Sequence, residues 1–192
     1  MKKIVFILVM FALPLLLYAQ SEQKAPDKKT ENELRKEKRK ADKKAVEDSI
    51  KQVIKYMVEN HSFVLEADYV AGRSGERIPV NSTLNFIKVD SANAVIQLGS
   101  NNGVGSNGVG GITVDGTVSR YELSKNENKK GISYSITLFV NTNLGTYDIV
   151  FWVSENANTY ATIRATTSGQ LNYSGKIVPL GMSTTYKGHA YP

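Results

Sequence analysis

The chain has no cysteine, two histidines and a single tryptophan among its 192 residues. Without a thiol there is no disulfide, no thiolate nucleophile and no thiolate metal ligand, so a fold must hold on its apolar core alone. Lipid attachment to a leader cysteine is excluded by the same absence. His61 falls at a helix-to-strand junction and His189 in the C-terminal tail, and no His-Glu-x-x-His is present. Neither histidine is placed as a general base, and a zinc site would have to be built from carboxylates. No cofactor, metal or catalytic set is expected. Long apolar runs are missing too. The one from Ile4 to Tyr18, broken at Pro14, falls short of the roughly 20 residues that a bilayer span needs.

That run has a different meaning. Lys2 and Lys3 precede it and Ala19 ends it, the three parts of a secretory signal peptide over residues 1–19, cut near Ala19. Leu17, at the third position before the cut, is larger than the ideal alanine. The expected product is periplasmic or secreted, carries no lipid and has no integral membrane span after cleavage.

The formal charge is +6 and the pI about 9.3. The distribution deflates it: Lys2 and Lys3 contribute +2, residues 20–60 contribute +3, and everything beyond contributes +1. A nearly neutral body with no nucleic-acid motif excludes nucleic acid as the expected partner.

Residues 20–44 are mostly Lys, Glu, Asp, Arg and Gln, with Leu34 the only large aliphatic, which predicts a charged tether or a frayed helix. From Val46 the pattern changes. Val46, Ile50, Val53, Ile54, Met57 and Val58 recur at spacings of three and four, predicting an amphipathic helix over about 45–59 docked on a sheet by that face. After Asn60 the period becomes two. Strands are predicted at about 63–70, 84–89, 94–98, 112–123, 132–140, 147–153, 160–165 and 171–178, with a turn over Gly72–Pro79 and a loose tail from Met182. Phe63, Leu65, Ala67 and Tyr69 are assigned to one face of the first strand. Tyr147–Val153 is apolar on both parities, so it should be central and covered on both sides, the helix supplying one cover. In the strand from Ile112 the apolar parity shifts between Val118 and Tyr121, which favours a bulge over a hairpin turn at Asp115-Gly116.

The connections are short enough for antiparallel neighbours. The predicted fold is mainly β (α+β): an N-terminal amphipathic helix packed on a curved antiparallel meander, or barrel-like sheet, of about eight strands. One domain over 45–180 would carry it, with a C-terminal tail over 181–192.

Seven of the fifteen glycines lie between Gly99 and Gly116. A β-rich stretch rather than a helix follows, and there is no Gly-Lys-Ser/Thr, so this reads as a loop and not a phosphate cradle. Its side chains Asn101, Asn102 and Asn107 are candidate contacts for a polar ligand such as a glycan. Asp148 shares parity with Trp152, and a carboxylate beside an indole suits a sugar. Glu66 and Asp68 share a strand face, the solvated one, and with Asp148 they are the only carboxylates considered for a hydrolase.

Several segments resemble the secreted Bacteroidetes proteins grouped as domain of unknown function 4251. They are Leu84-Asn85-Phe86-Ile87-Lys88-Val89-Asp90, Gly110-Gly111-Ile112-Thr113-Val114-Asp115-Gly116, Ala161-Thr162-Ile163-Arg164-Ala165, and Leu171-Asn172-Tyr173-Ser174-Gly175-Lys176-Ile177. The likeness covers about residues 55–180. The last segment is similar to the family's closing Tyr-x-Gly strand, whereas Gln97–Ser100 departs from the Leu-Pro-Tyr-like stretch expected before the glycine-rich loop. The resemblance implies no activity. For a chain of that bacterial type, Asp90-Ser91-Ala92 and Asp48-Ser49-Ile50 are similar to a periplasmic O-glycosylation acceptor, making Ser91 and Ser49 candidate modification sites.

The expected function is therefore that of an exported non-enzymatic protein. It would bind an envelope ligand or protein at the sheet rim near the glycine-rich loop and Trp152. The alternatives are a structural or interaction protein acting through its charged N-terminal segment, and a carboxylate-based hydrolase.

Overall fold

Alternation from Ser62 onward forms nine strands in the computed structural model, which describes residues 28–100, 105–129, 131–165 and 169–191. The leader over residues 1–19 lies outside the described residues. A helix, α1 (Lys28–Glu59), precedes the strands β1 (Ser62–Ala71), β2 (Arg77–Pro79), β3 (Phe86–Asp90), β4 (Asn93–Leu98), β5 (Ile112–Asn128), β6 (Gly131–Thr142), β7 (Gly145–Ser154), β8 (Asn158–Ala165) and β9 (Gln170–Val178). All pairings are antiparallel, in the order β2-β1-β3-β4-β5-β6-β7-β8-β9, and β9 also pairs with β1. Eight strands, β1 and β3 to β9, thus close into a barrel. Short β2 lies beside the second half of β1 within the segment expected to be a turn.

Closure has a physical motive. A single sheet with one apolar face leaves two edges of unpaired backbone, and joining β9 to β1 removes both. The apolar parity turns inward: Phe63, Leu65, Ile136, Leu138, Ile149 and Phe151 are completely buried. Phe63 and Phe151 meet edge to face at 5.5 Å. Truncating such a side chain to alanine costs about 2–5 kcal/mol.

The chain divides into two units between Ala45 and Val46. In the first, the side chains of residues 30–45 are all exposed. In the second, the remainder of α1 brings Ile54, Met57 and Val58 into the core. The Tyr121 hydroxyl donates to the Val58 carbonyl at 2.7 Å, and His61 stacks on the Tyr121 ring at 3.6 Å. Burial pushes the Tyr121 hydroxyl's pKa up. Lys51 pairs with Glu155 at 3.2 Å, in the turn between β7 and β8. The docked face is narrower than the periodicity predicted, because Val46, Ile50 and Val53 are 59%, 38% and 43% exposed. Only the last turns of α1, which carry Ile54, Met57 and Val58, are buried in the core.

Two bulges set which residues face outward. In β5 the register shifts between Val118 and Arg120, the bulge read from the sequence; β5 runs straight through Asp115-Gly116, so no hairpin forms there. The second was not foreseen. β1 and β9 pair regularly to Ala67↔Gly175 and resume at Tyr69↔Ser174, leaving Asp68 as the extra residue. Parity inverts across it: Val70 turns into the core, and Tyr69, assigned to the core face, is 42% exposed. Gly175 permits the close approach. A Cβ there would overlap the Glu66 carbonyl oxygen and lie 2.8 Å from the Ala67 Cα.

The C-terminal segment is not loose. After a single 3-10 turn, Leu180–Met182, it crosses the outer face of the barrel: Ser183 Oγ and Thr184 N donate to Glu66, Tyr186 N to the Thr83 carbonyl, and Tyr191 N to the Thr113 carbonyl. Beneath it, fully buried Gln97 uses every hydrogen-bonding position of its amide. Its Nε2 donates to the Leu84 and Tyr186 carbonyls, and its Oε1 accepts from Thr113 Oγ1 and Gly188 N.

Gly175→Ala is expected to lower stability by several kcal/mol, well beyond the roughly 1 kcal/mol or less of an ordinary surface change, as read from urea denaturation; a loss below that would mean β1 and β9 can separate at no cost. Glu155 yields a pH effect. The Ile132 backbone N–H first, and then Lys51, hold its carboxyl below the ordinary glutamate value of about 4.5. Its contribution is therefore complete above that value and disappears as pH falls through the depressed one. Thermal melts of Glu155→Gln should show a shallower drop in Tm below about pH 4.5 than the wild type.

Candidate functional site

On the outer face, directly paired positions form one row across four strands: Trp152 on β7 against Tyr160 on β8, Tyr160 against Ser174 on β9, and Ser174 against Tyr69 on β1. Three aromatics with one small residue between them make a trough. Its floor is Ser174 and Gly175, one wall is Trp152 and Tyr160, and the other is Tyr69 with Asp68 and Arg77. The walls on β8 and β1 stand two strand spacings apart, about 9.6 Å. The resulting cleft has a volume of about 350 Å³.

Each wall follows from the local fold. Trp152 and Tyr160 are 47% and 40% exposed, with ring centroids 5.5 Å apart and planes inclined by 36°. Cross-strand aromatic pairs stabilise a sheet, yet these rings keep a face in solvent. On the opposite side the bulge sends Tyr69 outward beside Asp68, since the extra residue shifts the alternation by one position. Arg77 reaches over from β2, its guanidinium 4.6 Å above the Tyr69 ring. Asp68 and Arg77 bring one acceptor-only and one donor-only group into a single cleft.

Strand β7 corrects one expectation. Its Tyr147, Ile149, Phe151 and Val153 face the barrel interior, but its other parity is not covered by the helix; Trp152 lies in the cleft, and Asp148 sits four residues away, about 13 Å along the strand. Asp148 does not line the cleft and does not pair with the indole. Its Oδ1 is buried with no hydrogen-bond partner among the described residues.

The glycine-rich loop joins β4 to β5 at the end of the barrel opposite the β7–β8 turn beside Trp152, so loop and indole are not brought together. Asn101 and Asn102 lie outside the described residues. Asn107 is 1% exposed and is committed to the fold: Nδ2 donates to the Leu98 carbonyl and Thr113 Oγ1, while Oδ1 accepts from Val109 N and Gly111 N. It has no position left for a ligand.

The other singled-out residues are dispersed. Glu66 holds the C-terminal segment, Asp68 lines the cleft, and Asp148 is elsewhere on β7, so the three carboxylates form no common site. Among the described residues no group of three or more His, Asp or Glu could hold a metal ion. Ser91, at φ +54° in the β3–β4 turn, is exposed, as is Ser49 on α1. No helix among the described residues is long and apolar enough to cross a membrane.

Trp152 was legible in the sequence as a tryptophan on a strand. Tyr160 could have been added by pairing adjacent strands across Glu155–Ala157. Tyr69, Asp68 and Arg77 were not, because they depend on a bulge and a short strand without a sequence signal of their own.

The unpaired oxygen of Asp148 yields a test. Asp148→Thr is expected to raise stability by about 1 kcal/mol in urea denaturation, since it removes a buried acceptor that nothing satisfies; a destabilised variant would show that the carboxylate has a partner.

No curated protein matches the chain. A crystal structure of a DUF4251 family protein from Bacteroides eggerthii DSM 20697, at 1.95 Å resolution, is similar at 28% identity and a TM-score of 0.56, over 70% of this chain and 91% of that one. Residues 45–177 match the family described as domain of unknown function (DUF4251). With that match running from the second unit's helix to the last strand of the barrel, the chain belongs to the DUF4251 family.

Proposed function

We propose that this is an exported, non-enzymatic protein of the cell envelope that binds its ligand in the outer cleft between Trp152–Tyr160 and Tyr69–Arg77. One observation carries the reading: three exposed aromatics and the oppositely charged Asp68 and Arg77 converge on one cleft. Such a concentration of aromatic surface is costly to leave in water unless something covers it. The middle of the barrel is packed with side chains, and the apolar recess of about 270 Å³ left beside Leu98, Tyr147 and Leu171 has no charged residue in its lining, which favours the outer cleft with its aromatic and charged groups together.

The non-enzymatic part of the proposal is supported by the dispersal of the carboxylates. Among the described residues Asp68 is the only carboxylate in the cleft, and a glycosidase needs two flanking one bond. Export rests on the leader over residues 1–19. Fractionation of cells producing the whole chain and a form lacking that leader is expected to find only the former outside the cytoplasm.

Ser174→Phe tests the cleft by filling its floor from an outward position. Envelope extracts passed over the immobilised wild type should leave a retained component that the variant does not retain. Equal retention by both, or by neither, contradicts the cleft as the binding site.

A second reading uses the charged segment, with side chains exposed throughout residues 30–45. In it, the segment over 20–44 is a contact element for another protein, and its deletion abolishes complexes seen in pull-downs while Ser174→Phe leaves them intact.

A further inference from the structure

We propose that the ligand of the aromatic cleft is a neutral glycan, an inference that rests on the cleft reading above. The cleft makes two demands on a ligand. Trp152 and Tyr160 offer flat, inclined ring faces, which call for an apolar face to stack against them. Asp68 accepts hydrogen bonds and donates none, whereas Arg77 donates and accepts none. A ligand that covers both must present donors and acceptors along its edges. A pyranose ring does this, having C–H groups on its faces and hydroxyls, each donor and acceptor, around its rim.

The rival classes fit less well. An acyl chain would cover the rings but leave Asp68 and Arg77 desolvated without partners, a large penalty for charged groups. A proline-rich peptide also docks in aromatic-lined grooves, but proline has no N–H to offer Asp68. An acidic polymer would be drawn to Arg77 and repelled by Asp68. The two charges in the cleft cancel, which favours a ligand without net charge. Asn158 and Ser174 add further polar groups at the same cleft. Arg77 already sits on the Tyr69 ring, so Trp152 and Tyr160 are the stacking platform and the Tyr69 side is the hydrogen-bonding wall.

The chain's single tryptophan lies in this cleft, so its emission reports occupancy without any label. The test titrates the whole mature chain with a panel of neutral oligosaccharides, including gluco-, manno- and galacto-configured hexamers. Parallel arms use polygalacturonate, a proline-rich decapeptide and phosphatidylglycerol vesicles. A neutral saccharide is expected to shift Trp152 emission saturably. Tyr160→Ala, which keeps the probe, should weaken that binding about fivefold by removing one stacking face. Asp68→Asn should weaken it about tenfold by removing a charged acceptor. Both residues face outward, so circular dichroism of the variants is expected to match that of the wild type.

Emission that responds to polygalacturonate, the peptide or the vesicles, but to no neutral saccharide, overturns the glycan assignment and leaves the cleft reading standing. Silence towards every probe also overturns the glycan assignment. A saccharide whose binding, followed by calorimetry, leaves Trp152 emission unchanged and is indifferent to Tyr160→Ala overturns the cleft reading itself.

Discussion

The approach of β9 to β1 is the contact on which the barrel and its outer cleft both depend. Without it, the eight-stranded sheet keeps two open edges, and Tyr160 and Tyr69 belong to strands at opposite ends of a meander. With it, they stand two strands apart across Ser174. The approach is close enough that position 175 has no room for a side chain, and β1 takes an extra residue, Asp68, just beyond. The bulge that relieves this crowding is also what turns Asp68 and Tyr69 outward together. One steric constraint therefore explains a glycine, a register shift and half of the cleft's lining.

A second, polar constraint holds the opposite flank. The outer face of β3 and β4 buries Phe86 and Gln97, Asn85 is buried just before β3, and the C-terminal segment is tied across that face. Buried amides are tolerated only when their hydrogen bonds are made, and here they are: Gln97, Asn107 and Asn85 each bind backbone groups of loops or of the tail. The glycine-rich connection is thereby anchored through Asn107. Gly111 has the same kind of restriction as Gly175, because a Cβ there would overlap the Leu98 carbonyl oxygen. The segments that carry the family resemblance, Gly110–Gly116 and Leu171–Ile177, are those where one backbone lies against another. They define a fold and leave the chemistry of the outer face free to differ.

Much of the architecture was legible, since alternation is a direct consequence of one face being wet. Ile132, Tyr134, Ile136, Leu138 and Val140 announced β6 and its inward parity, and the break in alternation after Val118 announced the β5 bulge. What the sequence concealed lay where tertiary packing overrides local pattern. The β1 bulge has no local signature, because Tyr69 and Val70 are both apolar enough to face either way. The helix stripe promised six docked residues and the barrel's end accommodates three. Asn107 looked like a loop side chain open to a ligand, when the loop folds around it. Of the candidate contacts among the described residues, Trp152 alone reaches the cleft, and Asp148 shares its parity but not its neighbourhood.

The dependence of the cleft on ring closure is open to direct measurement by native-state hydrogen exchange. If the β1–β9 contact is integral to the barrel, amides of that ladder exchange only through global unfolding, in the same slow class as those between β6 and β7. Faster exchange along β1 and β9, with β6 and β7 still protected, would mean that the sheet opens there independently of the rest, and would contradict the account.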